Sequence, residues 1–390
     1  TAAVSGAINV TIGIATKNKK ALFLPSIDKV IKEINNSEYL PYSPTPGLPE
    51  MRNLWKEKII SDNPKINKEH LSLPMVTTGI TQGIDIAANL FSSEGDALLL
   101  PSLFWQNYAQ IYSIKIGNKV YTYNQFNENN TYYLENFKEV LYSIKESKIS
   151  LILNFPNNPT GYTPSTEELD ELTIIIDRFA KENPEKQVII VCDDAYFGLF
   201  FEENHKTPSL SSIYKLETNS NCLIVKLDGI TKEYYGWGLR IGFITYYTGN
   251  DNLREHLLEK TQGYLRSTTS SPCNLSQQIA IRLLKDKDTY IEKKYNDKII
   301  HERYIILKKS LDDYKLSDSV TVLPFNSGYF FTIKMPSKIN AHDFRLKFLH
   351  DYKYGVYSMD NEHIRIAFSC LDKELIPDLV KNFKLCLNEF

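Results

Sequence analysis

Short apolar runs recur through the middle of the chain, and helical patterns with one apolar face separate many of them. Several runs are continuously apolar, as expected for strands covered on both faces of a sheet. One helical pattern starts at Thr81, and another follows Pro164, where Ser165 and Glu168 match a capping box. This alternation predicts an α/β sheet with right-handed crossovers. The predicted strands cover residues 75–79, 96–101, 119–123, 149–156, 187–196, 222–229 and 241–247.

The pattern changes after the last of these strands. A long polar helical stretch over about 274–311 leads into a strand-like segment, a helix near 340–351, a second strand-like segment and a final helix. This order predicts a small α+β domain, which the N-terminal segment is expected to join. We therefore predict a large α/β domain over 41–270, with a seven-stranded, mainly parallel sheet, and a small domain built from 1–40 and 271–390.

Composition narrows the class of protein. With 45 basic and 47 acidic side chains the net charge is −2, whereas a nucleic-acid binder needs a clustered basic excess. The five cysteines form no CxxC pair, which favours a cytoplasmic location over a disulfide framework. The seven histidines lack metal-site spacing, and no apolar stretch reaches the ~20 residues that span a membrane. No signal-peptide pattern is visible, and the abrupt start at Thr1 is typical of a chain that has lost upstream residues.

Chemically active side chains follow the predicted strands at their carboxyl ends, where ligands bind in open α/β sheets. Together they suit a phosphorylated, aromatic, aldehyde-bearing cofactor. A helix N-terminus and an arginine bind phosphate, and an aromatic ring covers a flat heterocycle. A carboxylate keeps a pyridine nitrogen protonated, and a lysine forms an imine and shuttles a proton. These side chains are Trp105, Asn158, Asp193, Tyr196, Lys232 and Arg240.

Five segments carry a more specific pattern: YSPTPGLPEMR (42–52), NFPNNPTG (154–161), DDAYFGL (193–199), DGITKEYYGWGLRIG (228–242) and IRIAFS (364–369). In this order they resemble the motifs of the class I/II aminotransferases, the aspartate-aminotransferase-like enzymes of pyridoxal-phosphate (PLP) fold type I. Each motif alone is weak, but five in family order are specific. The resemblance extends over nearly the whole chain, from about Ile8 to Ser369.

The resemblance implies a role for each matching residue around the cofactor, pyridoxal 5′-phosphate. Lys232 would hold the cofactor as a Schiff base and transfer the proton, and Asp193 would pair with the pyridinium nitrogen. Asn158 and Tyr196 would hydrogen-bond the phenolic oxygen of the ring. The ring itself would be covered by Trp105, with Phe104 or Tyr108 as alternatives.

The resemblance also implies how the phosphate and the substrate are held. Arg365 would bind the substrate α-carboxylate, with Asn158 beside it and Gly13 in an N-terminal loop that closes over the substrate. The phosphate would be held by Ile80 through its backbone, by Thr81, Thr231 and Arg240, and by Tyr42 of the neighbouring subunit. A homodimer with shared active sites is therefore expected.

Several of these residues also have a structural explanation that does not involve a ligand. Asp193 could cap a turn, and Asn-Pro-Thr-Gly could be a plain turn, because these residue types favour turns for local reasons. Trp105 and Tyr42 could be core residues, and Arg240 could form a structural ion pair. Arg365 lies on an otherwise apolar strand, where burial without an anionic partner is costly, and this favours a binding role.

The implied reaction is ping-pong transamination between an L-amino acid and a 2-oxo acid. A PLP-dependent carbon–sulfur β-lyase or an aminocyclopropane-carboxylate-synthase-like enzyme is the alternative on the same fold, and a non-catalytic PLP-sensing regulator is an alternative of another class. Gly229 replaces a frequent family serine, and Tyr235 and Gly236 replace a small and an aliphatic residue. These departures leave the subfamily open. The substrate also stays open, including a role for Arg266 with a side-chain carboxylate.

Overall fold

The structure is a computed structural model that describes residues 4–207, 209–317 and 319–390. Residues 1–3 of the predicted small domain therefore lie outside the described residues. The helices are α1 (Pro25–Glu33), α2 (Asn36–Tyr39), α3 (Pro49–Asp62), α4 (Ile80–Phe91), α5 (Asn107–Ala109), α6 (Leu134–Ser143), α7 (Thr166–Glu182), α8 (Ser209–Ile213), α9 (Ile230–Glu233), α10 (Asp251–Thr268), α11 (Asn274–Lys285), α12 (Lys287–Tyr314), α13 (Ala341–Tyr352) and α14 (Ile376–Leu387). Within the described ranges, none combines the length and apolar character needed to cross a membrane.

The strands are short at both ends of the chain and longer in the middle. They are β1 (Ile8–Asn9), β2 (Thr16–Lys17), β3 (Lys20–Ala21), β4 (Met75–Thr77), β5 (Ala97–Pro101), β6 (Lys119–Tyr123), β7 (Lys148–Asn154), β8 (Gln187–Asp193), β9 (Cys222–Gly229), β10 (Gly242–Tyr247), β11 (Thr321–Val322), β12 (Phe330–Lys334), β13 (Tyr354–Gly355), β14 (Tyr357–Ser358) and β15 (His363–Ala367).

The central sheet has seven strands in the order β4-β10-β9-β8-β7-β5-β6. All pairs among β5, β6, β7, β8 and β9 are parallel, whereas β10 runs antiparallel to both β4 and β9. This confirms the predicted seven-stranded, mainly parallel sheet. Strands β5, β7 and β8 are buried almost throughout, which explains their continuous apolar runs.

Three predicted strands extend too far, the first being β4, which ends at Thr77 rather than at 79. Strand β7 ends at Asn154 rather than at 156, and β8 ends at Asp193 rather than at 196. The Asn154 side chain donates to the Asp193 carbonyl oxygen at 2.9 Å, and the amide of Ala195 donates to the Asp193 carboxylate at 3.0 Å. These bonds turn the chain out of the sheet, so the residues that follow form the rim of the candidate site.

The predicted helical stretch over 274–311 is two helices, α11 and α12. Asp286 separates them because its backbone is extended, with ψ at 125°, and its side chain accepts the amide of Asp288 at 2.9 Å. An aspartate in this conformation caps the second helix and ends the first. Farther upstream, Ser165 and Glu168 form the predicted capping box at the start of α7.

The two ends of the chain lie together. Strand β1 pairs in parallel with β13, and the amide of Ser26 donates to the Glu292 carboxylate on α12 at 3.0 Å. The C-terminal part also forms a four-stranded antiparallel sheet in the order β11-β12-β15-β14. The domain bounds themselves, 41–270 for the large domain, stay a prediction.

The central sheet separates two large apolar cores. Along β9 the side chains alternate between them, with Val225 and Leu227 in one core and Ile224 in the other. Lys226 and Asp228 therefore share the face of Ile224, although both are charged and nearly fully buried.

Candidate active site

A cavity of about 250 Å³ opens at the rim of the central sheet. It lies beyond the carboxyl ends of β4, β5, β7, β8 and β9, the place where open α/β sheets bind ligands. The cavity brings together residues that are far apart in the sequence. Its lining includes Gly13, Ile80, Thr81, Trp105, Asn158, Asp193, Tyr196, Thr231, Lys232, Arg240 and Arg365, which are all the predicted site residues except Tyr42.

Lys232 lies in α9, the single helical turn that follows β9, and its side chain is buried in the cavity wall. Among the described residues its amine has no hydrogen-bond or ion-pair partner, and its Nζ lies 5.2 Å from the centroid of the Tyr196 ring. Burial lowers the pKa of Lys232; Asp193 opposes this shift, and Arg240 adds to it. A lysine with a lowered pKa is more often a free amine at neutral pH, which suits a nucleophile and proton carrier.

Asp193 ends β8 and holds its carboxylate in a fixed orientation. One oxygen accepts the Tyr108 hydroxyl at 2.5 Å, and the other accepts the amide of Ala195 at 3.0 Å. Burial raises the pKa of Asp193, whereas the hydrogen bond from Tyr108 and the charge of Lys232 lower it. The effect of burial is the larger one, so the pKa of Asp193 is raised overall, while Tyr108 and Lys232 favour the ionised form of this carboxylate at the cavity.

The residues predicted to cover the cofactor ring have different surroundings. Trp105 lines the cavity and meets the Tyr108 ring edge-on, with centroids 5.6 Å apart. Tyr108 also lines the cavity, but its hydroxyl is committed to Asp193. Phe104 lies outside the lining residues. The arrangement thus favours Trp105 over its two alternatives as the ring-covering residue.

The start of α4 and Arg240 lie together and could hold an anion. Gly79 precedes the helix with φ at 75°, and a Cβ built on it would lie 2.5 Å from Nη2 of Arg240. The guanidinium therefore packs directly against the helix N-terminus, where free N–H groups and the helix dipole attract anions. No carboxylate pairs with Arg240 among the described residues, so its charge is available to a ligand.

Arg365 reaches the other side of the cavity from β15. Its Nη1 donates to the Asn158 side-chain oxygen at 2.9 Å, and its Nη2 donates to the carbonyl oxygen of Thr11 at 2.7 Å. Its Nε is buried and has no partner, and its guanidinium lies 4.4 Å from the centroid of the Phe330 ring. Burial lowers the pKa of Arg365, and no described carboxylate neutralises it. A half-buried guanidinium without a carboxylate partner is suited to bind a carboxylate ligand.

The loop at 157–161 positions Asn158 through hydrogen bonds to the side chains of Asn154 and Asn157. The Asn157 side chain accepts the Thr160 hydroxyl at 2.7 Å, and the Asn158 amide donates to the Asn154 side chain at 2.9 Å. Gly161 has φ at 74°, and a Cβ there would collide with the Phe330 carbonyl oxygen. The loop is therefore a turn, as its composition allowed, and also a wall of the cavity.

Two residues considered from the sequence lie outside the cavity of this chain. Tyr42 is 94% exposed, so it does not contact the cavity of its own chain. Arg266 is exposed on α10, and its Nη1 donates to the Ser270 hydroxyl at 3.0 Å. No cluster of three or more metal-ligating side chains occurs among the described residues.

Several residues of the site were not predicted from the sequence in the role that the structure gives them. Asn154 and Phe330 line the cavity, and Tyr108 anchors Asp193. Asn154 carried a signal, because it is a polar residue at the end of an apolar run. Phe330 carried none, since its strand has no local mark of the cavity. Gly229 replaces the family serine because a Cβ there would lie 2.6 Å from the Ile241 carbonyl oxygen.

The groups in the cavity fit pyridoxal 5′-phosphate. The α4 N-terminus and Arg240 could hold its phosphate, and the Asp193 carboxylate could accept a proton-bearing ring nitrogen. The Lys232 amine lies between these groups without a partner. Arg365 has no carboxylate partner among the described residues, and its charge could bind a second anion such as the carboxylate of a substrate.

Comparison with known proteins agrees with this chemistry. The family model "Aminotransferase class I and II" matches residues 6–383. A probable aspartate/prephenate aminotransferase of Rickettsia conorii is 27% identical over 266 residues, which is 67% of this chain and 60% of that protein. An aspartate aminotransferase of Pyrococcus abyssi is 24% identical over 334 residues, 85% of this chain and 78% of that protein. The chain thus spans about 60% of the length of the Rickettsia relative.

Solved structures show the same fold. An aminotransferase from Anaerococcus prevotii superposes with a TM-score of 0.85 at 23% identity, covering 98% of this chain and 91% of that one. An aromatic aminotransferase from Pyrococcus horikoshii gives a TM-score of 0.80 at 20% identity, covering 99% and 97%. Because the family model matches nearly the whole length, the chain belongs to the class I and II aminotransferase family.

Proposed function

We propose that this protein is an aminotransferase that moves an amino group from an L-amino acid to a 2-oxo acid in two half-reactions. The observation that carries the proposal is the buried, partnerless amine of Lys232, which shares one cavity with Asp193, Arg240 and Arg365. Pyridoxal 5′-phosphate, the cofactor of this family, supplies an electron sink for the charge that develops at the substrate α-carbon.

Each residue contributes a separate function. Lys232 accepts the α-proton and delivers it, because burial lowers the pKa of its amine and so favours the neutral form that can take up a proton. Asp193 holds a proton on the ring nitrogen, and Arg240 with the start of α4 binds the phosphate. Arg365 binds the substrate α-carboxylate and so fixes the orientation of the breaking bond.

The N-terminal loop excludes water from this chemistry. A Cβ on Gly13 would lie 2.9 Å from the Phe330 ring and 3.1 Å from the Tyr196 hydroxyl, so the loop backbone packs tightly onto the cavity. The Arg365–Thr11 hydrogen bond ties the same loop to the proposed carboxylate site. Substrate binding at Arg365 and coverage of the cavity are therefore physically linked.

The names of the relatives favour transamination over β-elimination or cyclisation, since they describe aspartate and aspartate/prephenate aminotransferases. Aspartate is accordingly the first amino donor to test. Arg266 does not reach the cavity of its own chain, so a role with a side-chain carboxylate would have to be played across a subunit interface.

A panel of amino acids should separate these reactions. We expect purified holoprotein to change its cofactor absorbance when an amino acid is added without an acceptor, with one 2-oxo acid released per site. Adding a 2-oxo acid should then restore the original spectrum, because the second half-reaction reverses the first. The panel should include aspartate, phenylalanine, tyrosine, leucine and cystathionine. Release of pyruvate and ammonia from cystathionine, without an acceptor, would instead establish a β-lyase.

We also propose a homodimer in which Tyr42 reaches the phosphate of the partner subunit. The segment around Tyr42 is fixed, since Ser43 donates to the Pro272 carbonyl oxygen at 2.7 Å and Asn274 donates to the Pro41 carbonyl oxygen at 2.8 Å. This anchored segment holds the exposed Tyr42 ring where a partner subunit could meet it.

Hybrid dimers test this shared site. Co-expressed Tyr42→Ala and Lys232→Ala chains should regain activity, because one of the two sites in each hybrid combines an intact Lys232 with an intact Tyr42. We expect about half the activity of a wild-type dimer per hybrid, as one of its two sites is complete. Tyr290→Ala, at a second exposed tyrosine, serves as the control for Tyr42→Ala. A hybrid no more active than the Tyr42→Ala homodimer would contradict a role across the interface.

The proposal also covers the domain boundaries and the cellular location. The large domain comprises 41–270, and the small domain comprises 1–40 with 271–390, a division supported by the β1–β13 pairing and the separate C-terminal sheet. A cytoplasmic location is supported by the five cysteines, all of which carry free thiols.

A further inference from the structure

Asp193 is followed in the chain by a second buried carboxylate, Asp194. Each residue is 2% exposed, and the Asp194 amide donates to the Leu227 carbonyl oxygen on β9 at 2.8 Å. Asp193 faces the cavity, but Asp194 is outside the cavity lining. Two neighbouring carboxylates in a dry interior repel each other, and Asp194 accordingly contributes to raising the pKa of Asp193, after the larger effect of burial. An uncompensated charge on Asp194 therefore works against ionisation of Asp193.

Lys226 provides this compensation from β9. Its Nζ forms an ion pair with Asp194 and lies 3.2 Å from the Asp228 carboxylate, and its side chain is 3% exposed. Burial alone would lower the pKa of Lys226, but the two carboxylates hold it above its ordinary value. Among the described residues, Lys226 is the cation that pairs with Asp194.

Other polar groups surround this pair, and Oδ1 of Asp194 is buried without a hydrogen-bond partner among the described residues. Ser209 donates to the Asp194 carboxylate at 2.7 Å, and Trp55 donates to Asp228 at 2.7 Å. The Cys192 thiol faces the pair with a pKa raised by burial, so it adds no charge near neutral pH. Lys58 lies beyond Trp55, where it pairs with Asp62 and Glu233. The Phe197 ring completes the enclosure, 5.6 Å from the Lys226 amine.

We propose that Lys226 is a positioning residue that neutralises Asp194, so that Asp193 stays ionised against the ring nitrogen of the cofactor. Replacement of a buried ion pair by apolar groups is often neutral or favourable for stability, so stability alone gives little reason for a lysine in the strand CLIVKLDG. The inference rests on the proposed function, since it needs a ligand whose ring nitrogen meets Asp193.

The test is the pH dependence of pyridoxal 5′-phosphate binding to the purified full chain after cofactor removal, followed by fluorescence quenching. Protonation of Asp193 removes the negative charge that faces the ring nitrogen, so affinity falls on acidification. In Lys226→Met the uncompensated Asp194 should raise the pKa of Asp193. The midpoint of the fall in affinity should then lie about one pH unit higher, equivalent to about fivefold weaker binding at the wild-type midpoint and approaching about tenfold at lower pH.

Two further variants separate an effect of charge from an effect of packing. Asp194→Asn removes the repelling charge while Lys226 stays paired with Asp228, so the midpoint should move to lower pH. The double variant Lys226→Met/Asp194→Asn removes both charges and should return close to the wild-type midpoint. A purely structural role predicts no such rescue, because the double variant disturbs the packing more than either single change. Thermal unfolding of each cofactor-free variant records that disturbance separately.

The outcomes are distinct. A Lys226→Met midpoint equal to wild type, or a double variant as defective as Lys226→Met, would overturn the inference. If Lys226→Met does not fold, Asp194→Asn decides alone, and an unchanged or higher midpoint would reject the proposal. Wild-type protein that binds no pyridoxal 5′-phosphate at any pH would instead refute the proposed function itself.

Discussion

Replacing Lys232 by alanine should abolish transamination while leaving the protein folded. A positioned acid–base group contributes up to about 10⁴-fold to a rate, and the lysine also binds the cofactor covalently, so we expect a loss of at least about 10⁴-fold. The side chain borders an existing cavity and has no hydrogen-bond partner among the described residues, so its removal leaves no polar group unsatisfied. The free energy of unfolding of the cofactor-free protein should change by less than about 1 kcal/mol.

Single-turnover absorbance measurements with an amino acid would give this rate. Borohydride treatment followed by peptide mass analysis would show whether the cofactor is still attached to the chain. Lys138→Ala, at an exposed lysine on α6, is the matched control and should keep full activity. A Lys232→Ala protein that still yields a reduced cofactor–lysine adduct at wild-type level would disprove the assignment.

Replacing Arg365 by methionine should have the second largest effect. Removing one member of a buried charge pair costs several kcal/mol, so kcat/KM for amino acids should fall by about 10²- to 10³-fold. Arg365→Lys should be intermediate, because it keeps the charge but loses the forked geometry that matches a carboxylate. Asn158 and Thr11 would also lose their donor, so thermal unfolding should be measured alongside.

The decisive comparison uses pairs of substrates with and without the α-carboxylate. Wild-type protein should strongly prefer an amino acid over the corresponding amine, and Arg365→Met should lose most of that preference while its rate with the amine changes little. Arg178→Met, at an exposed arginine on α7, controls for loss of a positive charge. An unchanged preference in Arg365→Met would place the carboxylate elsewhere.

The central sheet could be predicted from the sequence because most of its strands are buried on both faces and are rich in apolar residues, whereas the edge strand β6 is largely exposed. Ser165 and Glu168 likewise marked the start of α7, since a capping box is a local signal. The break at Asp286 could not be predicted with the same assurance. Its polar surroundings continue a helical pattern on both sides, and only the extended backbone of one residue separates α11 from α12.

Some residues of the candidate site could likewise be predicted from the sequence, and some of its contacts could not. Lys232, Asp193 and Arg240 stood out because they follow strands within recognisable motifs. The contact between Tyr108 and Asp193 joins residues 85 positions apart and had no local signature. Tyr235 is a similar case: it adopts φ at 52° although it is a bulky residue, and its hydroxyl donates to Asp297 on α12 at 2.8 Å. Such features depend on the tertiary structure, which residue patterns describe only indirectly.

Strand β10 runs antiparallel to both of its neighbours, and this direction limits where insertions and deletions can occur. The connection that carries Lys232 and Arg240 leaves and re-enters the sheet at the same rim, so its length sets the spacing between amine and guanidinium. Insertions or deletions there would separate the two charges that one small molecule must meet together. The connection at 183–186, on the opposite rim, is under no such constraint and can change length without reaching the ligand.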